Sequence, residues 1–406
     1  MSRKKMYGML AFIIFTFSLL AIVIVYEVNQ YNNRTVDVVS ENNDVVGTDL
    51  EESDTDHNLN TEPSDNENDE ELSNDDVDHN VDDNDDVIQD NDNEDKDITM
   101  VFTGDIYLSK YVTSAYDKEG IEGVLSKELL EELNSADITM ANQEFPFSNR
   151  GSAADKKQFT FRLPPTYIST FLDMGIDIVT LANNHTLDYG RDSLLDSLDT
   201  LRKGNITYVG AGEDITSARE TKYMEVKGKN IAFLGASRVI PVPDWNATST
   251  SPGLFTTYDP TGLIEEIKMA KEKSDLIVVY VHWGLERKNY PEKYQRQLAQ
   301  QYIDAGADLV IGSHPHVLQG IEYYNGKPIV YSLGNFIFNN SIERTAILKV
   351  VLTKDNDVKL FLLPCKATNA KTYFIDNSLY YNFYTYMEEI SYDVTFKEGE
   401  VISNKE

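Results

Sequence analysis

Cysteine is almost absent, with one in 406 residues. A lone thiol forms no intramolecular disulfide and excludes every cysteine-rich zinc site. Clustered basic residues are missing beyond the first five positions. Without such clusters there is no surface to release phosphate counterions, so nucleic acid is not an expected partner. Long apolar runs are missing too, except at residues 7–26, YGMLAFIIFTFSLLAIVIVY. That stretch is long enough to span the roughly 30 Å hydrocarbon core as a helix.

Arg3, Lys4 and Lys5 precede the run, Glu27 follows it, and the next base is Arg34. The positive-inside bias therefore predicts a cytoplasmic tail at 1–6, a single-pass signal-anchor helix at 7–26 in the cell membrane, and an extracellular remainder. The competing reading is a cleaved signal peptide. Such peptides have an apolar core of about 7–15 residues and a small-x-small cleavage site, which Val28-Asn29-Gln30 does not supply; the anchor is the favoured reading.

Positive charge is also scarce, with 36 Lys and Arg against 68 Asp and Glu and a net charge of −32. The excess is local. Residues 35–97 hold 26 acidic residues, one lysine and no aromatic residue, too little apolar surface to offset chain entropy. Residues 27–97 are thus predicted to be a disordered acidic linker. The linker lacks the spacing, glycine and final glutamate of an EF-hand, so a solvated spacer is favoured over calcium sequestration.

From Ile98 short β-branched runs, among them 98–104, 137–142, 176–182, 231–236, 275–281, 308–313, 328–334 and 346–352, alternate with helix-length amphipathic stretches at 121–135, 165–174, 191–203, 260–273 and 292–305. Runs apolar on both faces predict buried strands in a layered α/β domain. In open α/β sheets polar chemistry gathers just beyond the C-terminal ends of strands. Here those ends carry Asp105, Glu144, Asn184-His185 with Asp188, His282, His314-Pro315-His316 and Asn335. Two of the six histidines, His57 and His79, lie in the acidic tract, and the other four all sit at strand ends. Imidazoles with carboxylates and an amide oxygen suit a divalent Zn, Mn or Fe ion, and a carboxylate can bridge two.

In an extended segment His314 and His316 would point the same way and reach one centre, with Gly312 allowing close backbone approach. In Asn184-His185 the adjacent side chains diverge, so Asn184 can offer its amide oxygen while His185 faces a leaving group as acid. Asp188 either orients the His185 imidazole or caps the helix at 191–203. Trp283 and Glu286 are predicted to line the pocket, with a packed Trp the alternative. Arg162 and Arg344 are candidates for binding a substrate carboxylate or phosphate, although solvation is the favoured reading for Arg344. Asn335 either pins the loops of the site, beside the substrate, or forms a turn.

The motifs GDIYLS, NQEFPFS, LANNHTLDYG, VHWGLE, GSHPHVLQG and YSLGNFIF, in this order, resemble the CapA family of poly-γ-glutamate capsule-synthesis proteins, which is similar to the calcineurin-like metallophosphoesterases. The resemblance covers about residues 98–364. It implies a layered β-sandwich flanked by helices at 98–370. The extension at 371–406 carries the aromatic-rich SLYYNFYTYMEEISY without a site motif and is expected to pack on the domain as a terminal helix, with a partner-binding surface the alternative. The resemblance also implies metal ligands at Asp105, Glu144, Asn184, His282, His314 and His316, with His185 as general acid. Two departures stand out: Tyr107 replaces the His of the superfamily's Asp-x-His, and Glu144 replaces Asp. The centre is therefore expected to hold one ion, or two of unequal affinity.

The resemblance implies an anchored extracellular protein for synthesis, export or retention of poly-γ-glutamate, working beside a membrane-embedded synthesis complex on that or another envelope polymer. Two alternatives stay open: a free-standing metal-dependent phosphoesterase or peptidase of the envelope, and a non-catalytic module that binds polymer carboxylates through metal.

Overall fold

The computed structural model describes residues 96–405. The anchor expected at 7–26 and nearly all of the acidic linker lie outside the described residues. Among the described residues no helix is long and apolar enough to cross a membrane.

The described residues form two facing sheets. The first is built on parallel strands β1 (Ile98–Ile106), β2 (Ile138–Gln143), β3 (Ile178–Thr180) and β4 (Thr207–Val209). On the other side of β1 it continues through antiparallel β14 (Ser341–Leu352) and β15 (Val358–Thr368) to the hairpin β17 (Val394–Lys397) and β18 (Glu400–Ser403). Short β13 (Asn335–Ile337) pairs with β1, and β16 (Lys371–Phe374) with β15. The second sheet runs β11 (Ile321–Tyr324), β12 (Lys327–Val330), β10 (Leu309–Ser313), β9 (Leu276–His282), β7 (Lys229–Ser237) and β6 (Lys222–Val226). A separate small ladder joins β5 (Ala211–Gly212) to β8 (Gly253–Leu254).

Side-chain alternation explains why the strand sequences read as unbroken apolar runs. On β1, Met100 and Phe102 pack between the sheets, whereas Val101 faces outward beneath helices α1 (Lys110–Glu119), α2 (Lys127–Ser135), α3 (Ile168–Asp173) and α4 (Arg191–Lys203). On β9, Val278 and Tyr280 face inward, and Ile277 and Val279 meet the short helix α5 (Ile215–Arg219), α6 (Thr261–Lys271) and α7 (Lys293–Ala305). The result is four layers, helix on sheet on sheet on helix. Each large side chain buried there contributes about 1.5–3 kcal/mol. The buried Tyr280 hydroxyl ties the sheets together by donating to the Thr103 carbonyl at 2.8 Å.

Two features differ from expectation. The segment after residue 371 is more than a terminal helix. Its helix α8 (Tyr380–Ile390) places Phe383, Met387 and Ile390 over the inter-sheet core, and β17 and β18 extend the first sheet. The run at 328–334 is strand only to Val330, and residues 331–334 turn toward the site.

Candidate metal centre

The parallel strands of both sheets end along one edge of the sandwich, and the polar residues meet there. Gly104 makes the close packing possible, since a Cβ at that position would lie 1.8 Å from the Gly334 carbonyl oxygen. Asp105 and Asn335 are thereby paired in register across β1 and β13. Gly312 does the same for β10, where a Cβ would meet the Tyr331 carbonyl oxygen at 2.0 Å.

Glu144 lies at the centre, fully buried, and neither carboxylate oxygen has a hydrogen-bond partner. Its Oε1 is 3.8 Å from His282 Nε2 and 3.8 Å from His316 Nε2. Ligand atoms of Glu144, His314 and His316 all lie within 4.8 Å of one another. Asp105 accepts from Asn142 Nδ2 at 2.8 Å through Oδ1, and its Oδ2 lies 3.2 Å from His316 Nδ1. Asn184 Oδ1 faces His282 Nε2 at 2.8 Å, and the other ring nitrogen of His282 is 3.0 Å from Ser313 Oγ. All six expected ligands are thus gathered.

His314 and His316 converge by a route the sequence did not suggest. Both have positive φ, 97° and 59°, so Gly312–His316 is not extended past β10. A left-handed conformation at a non-glycine residue costs of order 1–3 kcal/mol and persists where surrounding structure enforces it. Here Asn335 holds His316 Nδ1 at 2.8 Å.

The donor set suits a cation. Buried polar atoms are nearly always partnered, yet Asp105 Oδ2, both Glu144 oxygens and His314 Nδ1 have no hydrogen bond. Burial, then the charge of Asp105, holds the Glu144 carboxyl well above its ordinary range. Burial drives His282 well below its usual value. Burial, reinforced by the charge of His316, lowers His314 to about 3. At His316 burial also opposes protonation, but the carboxylates of Glu144 and Asp105 prevail and raise it to about 10. One proton on His316 therefore stands where a positive charge is needed, while His282 and His314 keep neutral lone pairs suited to a metal.

A second cluster adjoins the first and is fully partnered. Asp188 is buried and accepts from His185 Nδ1 at 2.6 Å, from the Phe161 amide at 2.7 Å and from Lys157 Nζ. It orients the imidazole, and the helix α4 is capped instead by Gly190. The Lys157 ammonium also reaches the Asn184 carbonyl and lies 3.0 Å from His185 Nδ1. Burial lowers the Lys157 and His185 values, with Asp188 opposing both shifts. Phe161 stacks on the His185 ring at 4.0 Å and Tyr107 on Phe161 at 3.8 Å. The side chain at position 107 thus braces His185 through an aromatic stack.

Lys157, Phe161, Asn142 and Asn183 were not singled out from the sequence. Asn183 joins the β2 and β3 loops by donating to Asn142 Oδ1 at 3.0 Å and to the Gln143 carbonyl at 2.7 Å. Both asparagines stood in the quoted strand-end motifs, which was the available signal; Lys157 and Phe161 lie on an irregular loop without one.

Two expectations need correction. Trp283 does not line the site: it is buried in the core beneath α7, its indole N–H donates to the Tyr331 carbonyl at 3.0 Å, and its ring stacks on Tyr302. The alternation of β9 explains this, because the neighbour of an inward-pointing His282 faces the helices. Arg162 is occupied by its own chain, donating to the Arg150 and Gly151 carbonyls at 2.8 and 3.3 Å and lying over Tyr189. It therefore pins a loop, with Nη1 committed to the backbone. Glu286 is exposed, close enough for its charge to act on Glu144 and Lys157.

Comparison with known proteins decides the family. The model described as bacterial capsule synthesis protein PGA_cap matches residues 99–340. The chain belongs to the PGA_cap family. Among its relatives, the PGA biosynthesis protein CapA of Bacillus subtilis (strain 168) is 34% identical over 274 residues, covering 66% of this chain and 71% of that protein. The capsule biosynthesis protein CapA of Bacillus anthracis is 33% identical over 260 residues, 62% of each chain. The match spans 57% of a probable polyglutamine synthesis accessory protein of Mycobacterium tuberculosis (strain H37Rv), at 30% identity and 51% of this chain. Likeness to solved structures is looser. A hypothetical protein from Thermus thermophilus superposes with a TM-score of 0.41 at 15% identity, over 66% of this chain and 99% of that one. A similarity of that size bears on no argument about chemistry.

Proposed function

We propose that this PGA_cap protein works in poly-γ-glutamate capsule synthesis, as an envelope protein anchored by residues 7–26 and carrying a metal-dependent, hydrolase-like site outside the membrane. The observation that carries the reading is the convergence of six ordered motifs on one buried cluster in which Asp105 Oδ2 and both Glu144 oxygens lack a hydrogen-bond partner. Family membership and its named relatives support the capsule assignment.

In this reading Asp105, Glu144, Asn184, His282, His314 and His316 hold one divalent ion, or two of unequal affinity, of the Zn, Mn or Fe class. Such an ion supplies Lewis acidity toward an acyl or phosphoryl oxygen. The protein's own residues do the rest. Asp188 accepts a hydrogen bond from His185 Nδ1 and so leaves Nε2 as the nitrogen that faces a departing group, to which it gives a proton when the ring is in its imidazolium form. Lys157 neutralises Asp188 and keeps that carboxylate from retaining the proton. The aromatic stack of Tyr107 and Phe161 excludes water from one face of the imidazole. Glu286 and Asn335 stand at the rim, where a substrate would pass.

The test is genetic. In a strain deleted for this gene, the wild-type copy restores surface poly-γ-glutamate, and copies carrying His316→Ala or His185→Gln do not. Unaltered surface polymer after deletion, in a strain with no second copy, overturns the capsule assignment. Restoration by His185→Gln but not by His316→Ala leaves metal-dependent binding and removes the acid step.

A further inference from the structure

The geometry points to a carboxylate-binding subsite beside the metal centre, built on Arg344, that takes one free α-carboxylate of a γ-linked glutamate chain. The inference rests on the capsule-polymer reading and names the contact that reading lacks.

A cavity of about 370 Å³ adjoins the centre and is lined by His316 and Asn335 together with Glu343, Arg344, Asn289 and Tyr386. Its size falls at the small end of the range for ligand pockets, about 300–1,000 Å³. His316 is thus shared between this cavity and the cluster around Glu144.

Arg344 is aimed into this cavity by a fault in the sheet. The ladder between β14 and β15 pairs Ile342 with Ala367 and then Thr345 with Cys365. Glu343 and Arg344 therefore stand opposite the single Lys366. One extra residue in a strand is a β-bulge, a device that bends the strand and redirects side chains, and that recurs next to active sites.

The guanidinium is held but not neutralised. Arg150, Arg219 and Arg296 each pair with a carboxylate; among the described residues Arg344 makes no ion pair or hydrogen bond, and lies 3.8 Å over the ring of Tyr386. Tyr386 is itself fixed, since Asn289 Nδ2 donates to its hydroxyl at 2.7 Å. Stacking leaves the edge N–H groups free in a plane, the arrangement that grips a carboxylate with two parallel hydrogen bonds. In a polymer linked through the γ-carboxyl, each unit retains an α-carboxylate, so a chain lying along the cavity can put one on Arg344 with an amide near His316. Glu343 lines the same cavity and opposes a second anion there.

The test is calorimetric titration of the full chain with a short γ-linked oligoglutamate, its α-carboxamide counterpart and inorganic phosphate. Arg344→Gln is expected to weaken the oligoglutamate about tenfold, Arg344→Lys less, and Glu343→Gln to tighten it. Wild type is expected to hold the carboxamide about as weakly as Arg344→Gln holds the acid. Arg344 is exposed, so the variant's thermal melt should match wild type. Equal binding of the acid by wild type and Arg344→Gln overturns the subsite and leaves the capsule reading standing. Phosphate bound through Arg344 with no binding of oligoglutamate overturns the carboxylate assignment, and binding of neither overturns both.

Discussion

Two clusters share one edge of the sandwich and solve opposite electrostatic problems. Around Asp188 every charge is answered inside the protein, by Lys157, His185 and a backbone amide. Around Glu144 two carboxylates are buried, Asn142 donates to one oxygen of Asp105, and the one positive charge beside them is the proton on His316. Burying an ion without a partner is costly, and proteins tolerate it where another charge is to be supplied. The first cluster is therefore complete in charge, and the second has donors left open for the cation proposed above.

The comparison breaks most sharply at Glu144 and His316. Glu144→Gln and His316→Ala should each reduce the metal content of the purified full chain to background by elemental analysis, while Lys157→Met should retain it. Retention of metal by Glu144→Gln would show that the unpaired oxygens are not ligands.

Next in size is the paired cluster. Lys157→Met leaves the buried Asp188 without its ammonium, and loss of one partner of a buried pair costs about 3–5 kcal/mol. Denaturant unfolding should show a loss near the lower value, with partial recovery in Lys157→Met/Asp188→Asn. A loss under about 1 kcal/mol would place the pair with ordinary surface ion pairs.

The contrast is sharpened by the pH dependence of the metal-free protein. His314 falls to about 3 from an ordinary 6.5, so below pH 6.5 the unfolded chain binds a proton that the folded one refuses, and stability drops as the pH is lowered. His316 rises to about 10. There the folded chain holds a proton that the unfolded one releases, and that stabilisation is full below 6.5 and lost as the pH climbs through 10. With chelator present, Tm should peak near pH 6.5. His316→Asn should lose the alkaline decline alone, and a wild-type Tm that does not fall between pH 7 and 10 would contradict the proton placed on His316.

The layered α/β character was legible because strands buried on both faces must be apolar at every position, as in β9. Helices at 191–203 and 293–305 were legible from their amphipathic period. By contrast, β15 escaped notice. Its Pro364 has no N–H for the ladder and breaks the strand text, although it pairs with Ala346 in the sheet. The tail hairpin β17 and β18 is short and half-exposed, with little burial to mark it.

At the site, Asp105, Glu144, Asn184, His185, His282, His314, His316 and Asn335 could be picked out because chemistry gathers at strand ends. Trp283 was misplaced, since one step along a strand exchanges the site for the helix layer. Lys157 shows what no spacing rule reaches, since it is brought to Asp188 across 31 residues by a loop without periodicity. Arg344 was a candidate from its charge, with solvation favoured, but its direction is set by a bulge whose existence depends on the pairing of two strands.

The sequence by itself determined which residue types stand at the strand ends, because local apolar periodicity fixes where strands stop and polar groups begin. Only the tertiary structure decided which of those groups are partnered, which are left bare and which way His314 and His316 turn. Charge compensation and left-handed backbone are imposed by neighbours distant in the chain, and no local pattern records them.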